Sequence, residues 1–215
     1  QARAIARIRT AIPQARISWR YRIVLDGFTV SLPYTKLPAL MRLGVLQNVY
    51  PSHRYTLDSA KLDTSPGLIG APQFWQTTGA KGDGVKIGVV DDGVDQTNPF
   101  FNPSGYTYPA GFPLGDTRFT TPKVIVARAF PSPSTTWKYA GSPNDPVNSD
   151  HGDHVAGIAA GDVEPAGTVA GRGSLSGVAP HAYLGNYKVL TVPTSEFGLD
   201  GNAPEIAAGI EAAVA

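Results

Sequence analysis

The chain has 215 residues, 42% hydrophobic and 16% charged, the composition of a folded globular protein large enough for one domain, or for a small domain plus part of another. It has no cysteine, which excludes disulfides, thiolate nucleophiles and cysteine-ligated metals, and no apolar run reaches the roughly 20 residues that span a bilayer, so no membrane partner is expected. The net charge of +1 hides an asymmetry: residues 1–54 hold nine Lys/Arg against Asp26 alone, a net of +8, which leaves −7 for the rest.

The chain opens on Gln1 without an initiator methionine or a signal sequence, and so reads as a piece lacking its front. Gln1–Ile12 reads as the end of a helix, with Ile5, Ile8 and Ile12 on one face. In Ile17–Leu25 the residues Ile17, Trp19, Tyr21, Ile23 and Leu25 alternate with Ser18, Arg20, Arg22 and Val24, which predicts a half-buried strand. Asp26-Gly27 predicts a tight turn and Phe28–Leu32 the return strand. Leu37–Leu43 reads as a short helix closed by Gly44, and Val45–Tyr50 as a last strand stopped by Pro51. The order α-β-β-α-β is a βαββαβ sandwich without its first strand.

Residues 55–80 are polar and turn-rich and read as a linker. Val85–Val90 is a compact apolar run of the kind buried on both faces of a parallel sheet. Residues 99–122 read as an irregular surface loop, Lys123–Phe130 as a strand, His151–Ala160 as a helix of small residues, and Ala182–Leu190 as a further strand. Asn202–Ala215 predicts a helix capped by Asn202, with Glu205 closing a capping box and Ile206, Ile210 and Val214 facing inward. Strands alternating with helices imply an open α/β sheet.

Two motifs carry chemistry. Gly88-Val89-Val90-Asp91-Asp92-Gly93 puts a carboxylate at the C-terminal end of a buried strand, the edge where α/β folds bind ligands. A plain strand-ending turn would look the same. His151-Gly152-Asp153-His154-Val155-Ala156-Gly157 puts a histidine in the first turn of a helix, where the dipole favours the neutral imidazole that a general base needs. A capping or core histidine is the ordinary alternative. His151, Asp153 and His154 could also ligate a metal, but only His53 and His181 remain to complete a cluster. A phospho-receiver pocket needs a helix directly after the strand, which Gly93 and Asn98-Pro99 oppose. A dinucleotide fold needs a glycine-rich turn after the strand, and none follows. The basic N-terminal part suggests a module docked on an acidic one, or simply a solvated basic face. No nucleic-acid partner is expected, because the arginines alternate with core residues.

Taken together, the motifs resemble the subtilisin-like serine proteases (subtilases). Val89-Val90-Asp91-Asp92-Gly93-Val94-Asp95 is similar to the family's aspartate motif, and His151–Gly157 to its histidine motif. Gly177-Val178-Ala179-Pro180, Lys188-Val189-Leu190 and Gly209-Ile210-Glu211 are similar to the segments that follow. The resemblance implies an α/β, parallel-sheet subtilisin-like catalytic domain, incomplete, preceded by a small α+β ferredoxin-like propeptide lacking its first strand. The implied domains are an inhibitory propeptide at 1–54, a linker with the maturation site at 55–63 (Leu62-Asp63-Thr64 the favoured neighbourhood), and the first half of the peptidase domain at 64–215, ending before the serine segment. Asp91 would orient His151 and stabilise its cation. His151 would take the proton of a serine beyond this chain and return it to the leaving amine, while His154 would be a structural helix residue. Gly198, Leu199 and Gly201 would form the edge that pairs with substrate.

The resemblance thus implies a secreted serine endopeptidase precursor acting on proteins or peptides, with its own propeptide as intramolecular inhibitor and no cofactor. The fragment alone should be inactive, having a base without a nucleophile. A non-catalytic binding or inhibitor protein on the same scaffold is the alternative. The sequence departs from the family pattern at Asp153, Asp92 and Phe100. The two acids would add charge near His151. Phe100 stands where compact members place a calcium-binding aspartate, so no metal site is expected there.

Overall fold

The structure, a computed structural model, describes residues 1–56, 65–164, 174–195 and 198–215. Its N-terminal part is a small α+β unit. Helix α1 (Ala2–Ala11) leads into the antiparallel pair β1 (Arg16–Tyr21) and β2 (Gly27–Ser31), followed by α2 (Leu37–Arg42). Ile8 and Ile12 from α1, Ala15 before β1 and Leu40 from α2 make its core, against which Phe28, Val30 and Leu32 pack.

Two expectations for this unit fail. Strand β1 ends at Tyr21, and the pairing of Tyr21 with Gly27 leaves residues 22–26 as a loop rather than an Asp26-Gly27 tight turn. The backbone N–H groups of Arg22, Ile23 and Val24 all donate to the Glu211 carboxylate, at 2.5, 2.7 and 2.8 Å. Those N–H groups are drawn out of the ladder, and Ile23 and Leu25 end up exposed. Val45–Tyr50 is not a strand. In a split βαβ arrangement the last strand pairs with the first, and among the described residues no strand lies beside this segment. Val45 and Leu46 pack into the small core instead.

The presumed linker at 55–80 also holds more structure than its composition suggests. Arg54–Tyr55 is a short strand, β3, and Ser65–Leu68 and Ala71–Thr78 are helices α3 and α4. Pro72 sits in the first turn of α4, where proline starts a helix rather than breaking it. Trp75 anchors α4 by donating from Nε1 to the Val178 carbonyl at 3.1 Å.

The larger part is built on a four-stranded parallel sheet. Its strands are β4 (Lys86–Asp91), β5 (Leu114–Gly115), β6 (Val124–Ala129) and, after helix α5 (Asp150–Ala160), β7 (Tyr183–Lys188), in the order β4-β7-β6-β5. Strands β8 (Val192–Pro193) and β9 (Leu199–Asn202) form an antiparallel pair, and β3 adds antiparallel to the other side of β9. Helix α6 (Ala203–Val214) closes the fold. The α/β architecture with a parallel sheet is therefore as expected from sequence.

Residues 99–122 are largely irregular, yet they are not only surface. Phe101 is fully buried among Val94, Val124, Ala156, Ala160 and Leu184. Helix α6 is turned differently from the periodicity reading. Glu205, Ala208 and Gly209 are buried, whereas Ile210 and Val214 are exposed. A Cβ on Gly209 would collide with Val189 and crowd Val90, so the helix comes close to the sheet only through its small residues. Glu205 makes no capping box: its Oε1 accepts from Trp19 Nε1 at 3.2 Å, and Asn202 donates to Ser132 Oγ at 3.2 Å.

The two parts meet through aromatic surface more than through charge. Tyr21 is buried in the core that also holds Val189, Leu190 and Ala208, and Trp19 packs beside it. The arginines of α1 and β1 are exposed. Among the described residues, Arg54 with Asp200 is the one ion pair joining 1–54 to the rest. The solvated-face reading of the basic N-terminal part therefore holds for most of its arginines. Phe101→Ala should lower the unfolding free energy by about 3–5 kcal/mol, the usual cost of emptying a buried phenylalanine site. Urea denaturation checks it, and a loss under about 1 kcal/mol would show that Phe101 is not core.

Candidate active site

Strand β4 runs parallel to β7 and delivers Asp91 to the C-terminal edge of the sheet, with Asp91 opposite Lys188. The Asp91 carbonyl accepts from Val189 and Leu190 N–H at 2.8 and 3.2 Å. After Asp92 the chain turns at Gly93, whose φ is 123° and where a Cβ would lie 2.6 Å from both the Pro143 carbonyl and Ser149 Oγ. Only glycine meets both demands.

Helix α5 begins beside that turn. Ser149 Oγ donates to the Asp92 carbonyl at 2.6 Å, and Asp92 Oδ1 accepts from the Gly152 N–H at 2.7 Å. This N–H is one of the donors a helix start leaves without an intrahelical partner. Strand end and helix start are thus stapled by two hydrogen bonds. The consequence is the pair expected from sequence: His151 Nδ1 lies 2.9 and 3.0 Å from the two carboxylate oxygens of Asp91. The Asp91 side chain is 11% exposed and that of His151 25%, so the pair is sheltered but reachable.

The electrostatics behind the pair are unusual. Burial, reinforced by the neighbouring Asp91 charge, pushes Asp92 up to about 8 despite the opposing Gly152 N–H. Asp92 is therefore a much weaker acid than an exposed aspartate. Asp153 is pushed up to about 6, chiefly by burial, while its Oδ1 accepts from Asp95 N–H at 2.7 Å. Lys188 is fully buried; burial lowers it to about 8, against the pull of Asp145 and Asp92. Its Nζ donates to the Tyr139 carbonyl at 2.9 Å.

His154 is exposed on α5, so the structural role expected for it is not supported. Among the described residues no three His, Cys, Asp or Glu side chains are grouped to hold a metal ion. The glycine-rich edge divides into distinct jobs. Gly198 closes the β8–β9 hairpin, its carbonyl accepting from Thr194 N–H at 3.1 Å. Leu199 is buried in the core. Gly201 lies opposite Tyr55 of β3, and Asn202 opposite Arg54. This edge is linked to the Asp91 strand end through consecutive residues, since Leu190 N–H reaches the Asp91 carbonyl and Thr191 N–H the Asp200 carbonyl at 2.9 Å.

Sequence reasoning missed Asn186, Lys188, Asp145 and Ser149 as the polar frame of the site. Asn186, 1% exposed, donates to the Val94 and Pro143 carbonyls at 3.2 and 3.0 Å, holding the loop after Asp91. Two polar residues at alternate positions of an otherwise apolar strand, Asn186 and Lys188, were the available signal.

Residues 82–214 match the family model described as the subtilase family. The chain belongs to the subtilase family. It is 29% identical over 95% of its length to the minor extracellular protease Vpr of Bacillus subtilis (strain 168). It is 31% and 30% identical, over 91% of its length in each case, to the subtilisin-like proteases SBT2.1 and SBT2.2 of Arabidopsis thaliana. These matches cover 23%, 25% and 24% of the relatives, so the chain spans about a quarter of their length. No helix among the described residues of this subtilase chain is long and apolar enough to cross a membrane.

The Asp92 carboxyl makes a stability prediction. Its folded pKa, about 8, lies above the unfolded value near 3.8, so the folded state binds the extra proton between those values. That contribution is full below about pH 4, declines as pH rises, and is gone above about pH 8. Asp92→Asn keeps the neutral form at every pH. Its stability relative to the unmodified chain should therefore rise steadily between pH 5 and pH 8 in urea denaturation. A difference independent of pH would contradict the raised pKa of Asp92.

Proposed function

We propose that this chain supplies the aspartate and histidine of a secreted serine endopeptidase precursor that hydrolyses peptide bonds by acyl transfer through a serine. The observation that carries the reading is the contact of His151 Nδ1 with both Asp91 carboxylate oxygens at the ligand-binding edge of the sheet. In this reading Asp91 orients the ring and stabilises its cation, and His151 acts as general base and then as general acid. The nucleophile and the oxyanion donor come from sequence beyond residue 215, and residues 1–215 alone are inactive. The family assignment and the word extracellular in the name of the Vpr protease support a secreted enzyme.

Residues 1–54 act in this proposal as the inhibitory propeptide and 64–215 as the first part of the peptidase domain. The antiparallel addition of β3 to β9 supports it. An extended peptide that adds a strand to a sheet edge is how such a cleft holds a substrate backbone; Gly201 seats that edge on its own sheet, since a Cβ there would strike Leu190 and the Val189 carbonyl. The Glu211 carboxylate, held by three consecutive N–H groups of the 22–26 loop, supports a dedicated docking site. Cleavage between 57 and 64 would release the module; those residues lie outside the described ones.

In the full-length protein, His151→Ala should lower peptide turnover by about 10⁴-fold or more, whereas His154→Ala, at an exposed position, should change it little. Near-normal turnover in a folded His151→Ala protein would refute the assignment. A separately made 1–62 peptide should inhibit the mature protease, and Glu211→Ala should weaken that inhibition by less than about tenfold, because the three donors lie at the surface and turn to water. A 1–62 peptide without effect on turnover would refute the inhibitor role.

A further inference from the structure

Asp200 is a carboxylate whose burial the catalytic proposal leaves unexplained. It sits in the middle of β9, its residue 4% exposed and its side chain 6%. Its main chain serves the β8 side, pairing with Val192 and accepting from Thr191 N–H. Its Oδ2 pairs with Arg54 Nε, whereas its Oδ1 is buried without a hydrogen-bond partner. No other cation forms an ion pair with it among the described residues.

The contact is a diagonal one. Arg54 lies opposite Asn202 in the ladder, and Asp200, two residues away, shares the Asn202 face of the strand. Diagonal neighbours of this kind are within reach of a long side chain. The Arg54 side chain is 55% exposed, so its charge comes in from solvent with the strand that carries it. The carboxylate belongs to the edge, and its counter-ion belongs to whatever strand is bound there. The Asp200 side chain is 6% exposed with β3 in place, so when β3 leaves the carboxylate trades its cation for water, a weaker partner than a charged donor. The next extended peptide to bind compensates that charge only if it carries a cation at the same position.

We propose that Asp200 determines specificity, selecting an arginine or lysine side chain at the peptide position that Arg54 occupies along β9. The proposal rests on reading β9 as the edge that receives substrate. Arginine is favoured over lysine, because contact through Nε leaves the remaining guanidinium donors for the unpartnered Oδ1. Glutamate or aspartate at that position is rejected by the like charge.

The test uses the mature protease from the full-length gene and an alanine-rich peptide that it cleaves. Arg or Glu is placed singly at each successive position upstream of the cleaved bond, and kcat/KM is measured for each peptide. One position should favour Arg over Glu by roughly tenfold or more, a modest value because the guanidinium end is half in water. In Asp200→Asn the ratio at that position should fall towards one, with the ratios at other positions kept. In Asp200→Lys it should invert. Cleavage of all peptides with no such position in the unmodified enzyme overturns the role of Asp200 in substrate selection and leaves the peptidase reading standing. A position that favours Arg equally in Asp200→Asn also overturns it. An Arg54→Glu precursor that is poorly inhibited, alongside substrates that show no preference, assigns Asp200 to propeptide docking alone. Absence of all cleavage by the correctly matured protein overturns the peptidase reading and this inference together.

Discussion

The site depends on the staple between the end of β4 and the start of α5. Asp91 and His151 are 60 residues apart in sequence, and neither could position the other alone. Asp92 lends its carbonyl to Ser149 and its carboxyl to the Gly152 N–H, on either side of His151. Gly93 lets the two elements close to contact, since any Cβ there meets the Pro143 carbonyl and Ser149. Asn186 fastens the departing loop from below through two carbonyls. The Asp91–His151 contact is the product of these bonds, in the way that supporting hydrogen bonds hold a reactive group within its working geometry.

The same sheet edge explains how the N-terminal part is held. Residues 1–54 bury a small core of their own, and so small a unit has little stability to spare. Trp19 and Tyr21 insert towards α6, the Glu211 carboxylate gathers three N–H groups, and β3 completes the ladder on β9. The basic residues that dominate its composition take almost no part in that contact. Charge sets a favourable long-range field, but the surface that meets the larger part is aromatic and hydrogen-bonded.

The sequence made some of this legible and hid the rest for physical reasons. Asp91 and His151 stood out because each sits in a run of residues set by local geometry: an apolar strand ending in Asp-Asp-Gly, and a helix start rich in small residues. The parallel sheet followed from alternating apolar runs. Helix α6 was misread because its inward face is Ala208 and Gly209, and close approach to Val189 outweighed the burial of Ile210 and Val214. The Asp26-Gly27 turn was misread because its loop answers to Glu211, 187 to 189 residues away. Val45–Tyr50 has the pattern of a strand but, among the described residues, no partner strand to make it one. The upward shift of Asp92 was hidden too, since it depends on burial and on its neighbour, neither of which a motif displays.

In the proposed catalytic reading, Asp91 holds His151 in the tautomer protonated at Nδ1, which makes Nε2 the ring's proton acceptor. Nitrogen-15 NMR of the histidine-labelled 215-residue chain tests this directly at a pH where the ring is neutral. The expected spectrum shows a His151 ring protonated at Nδ1, with a strongly deshielded Nδ1 proton that disappears in Asp91→Ala. A His151 ring protonated at Nε2, or a spectrum indifferent to Asp91→Ala, would contradict it.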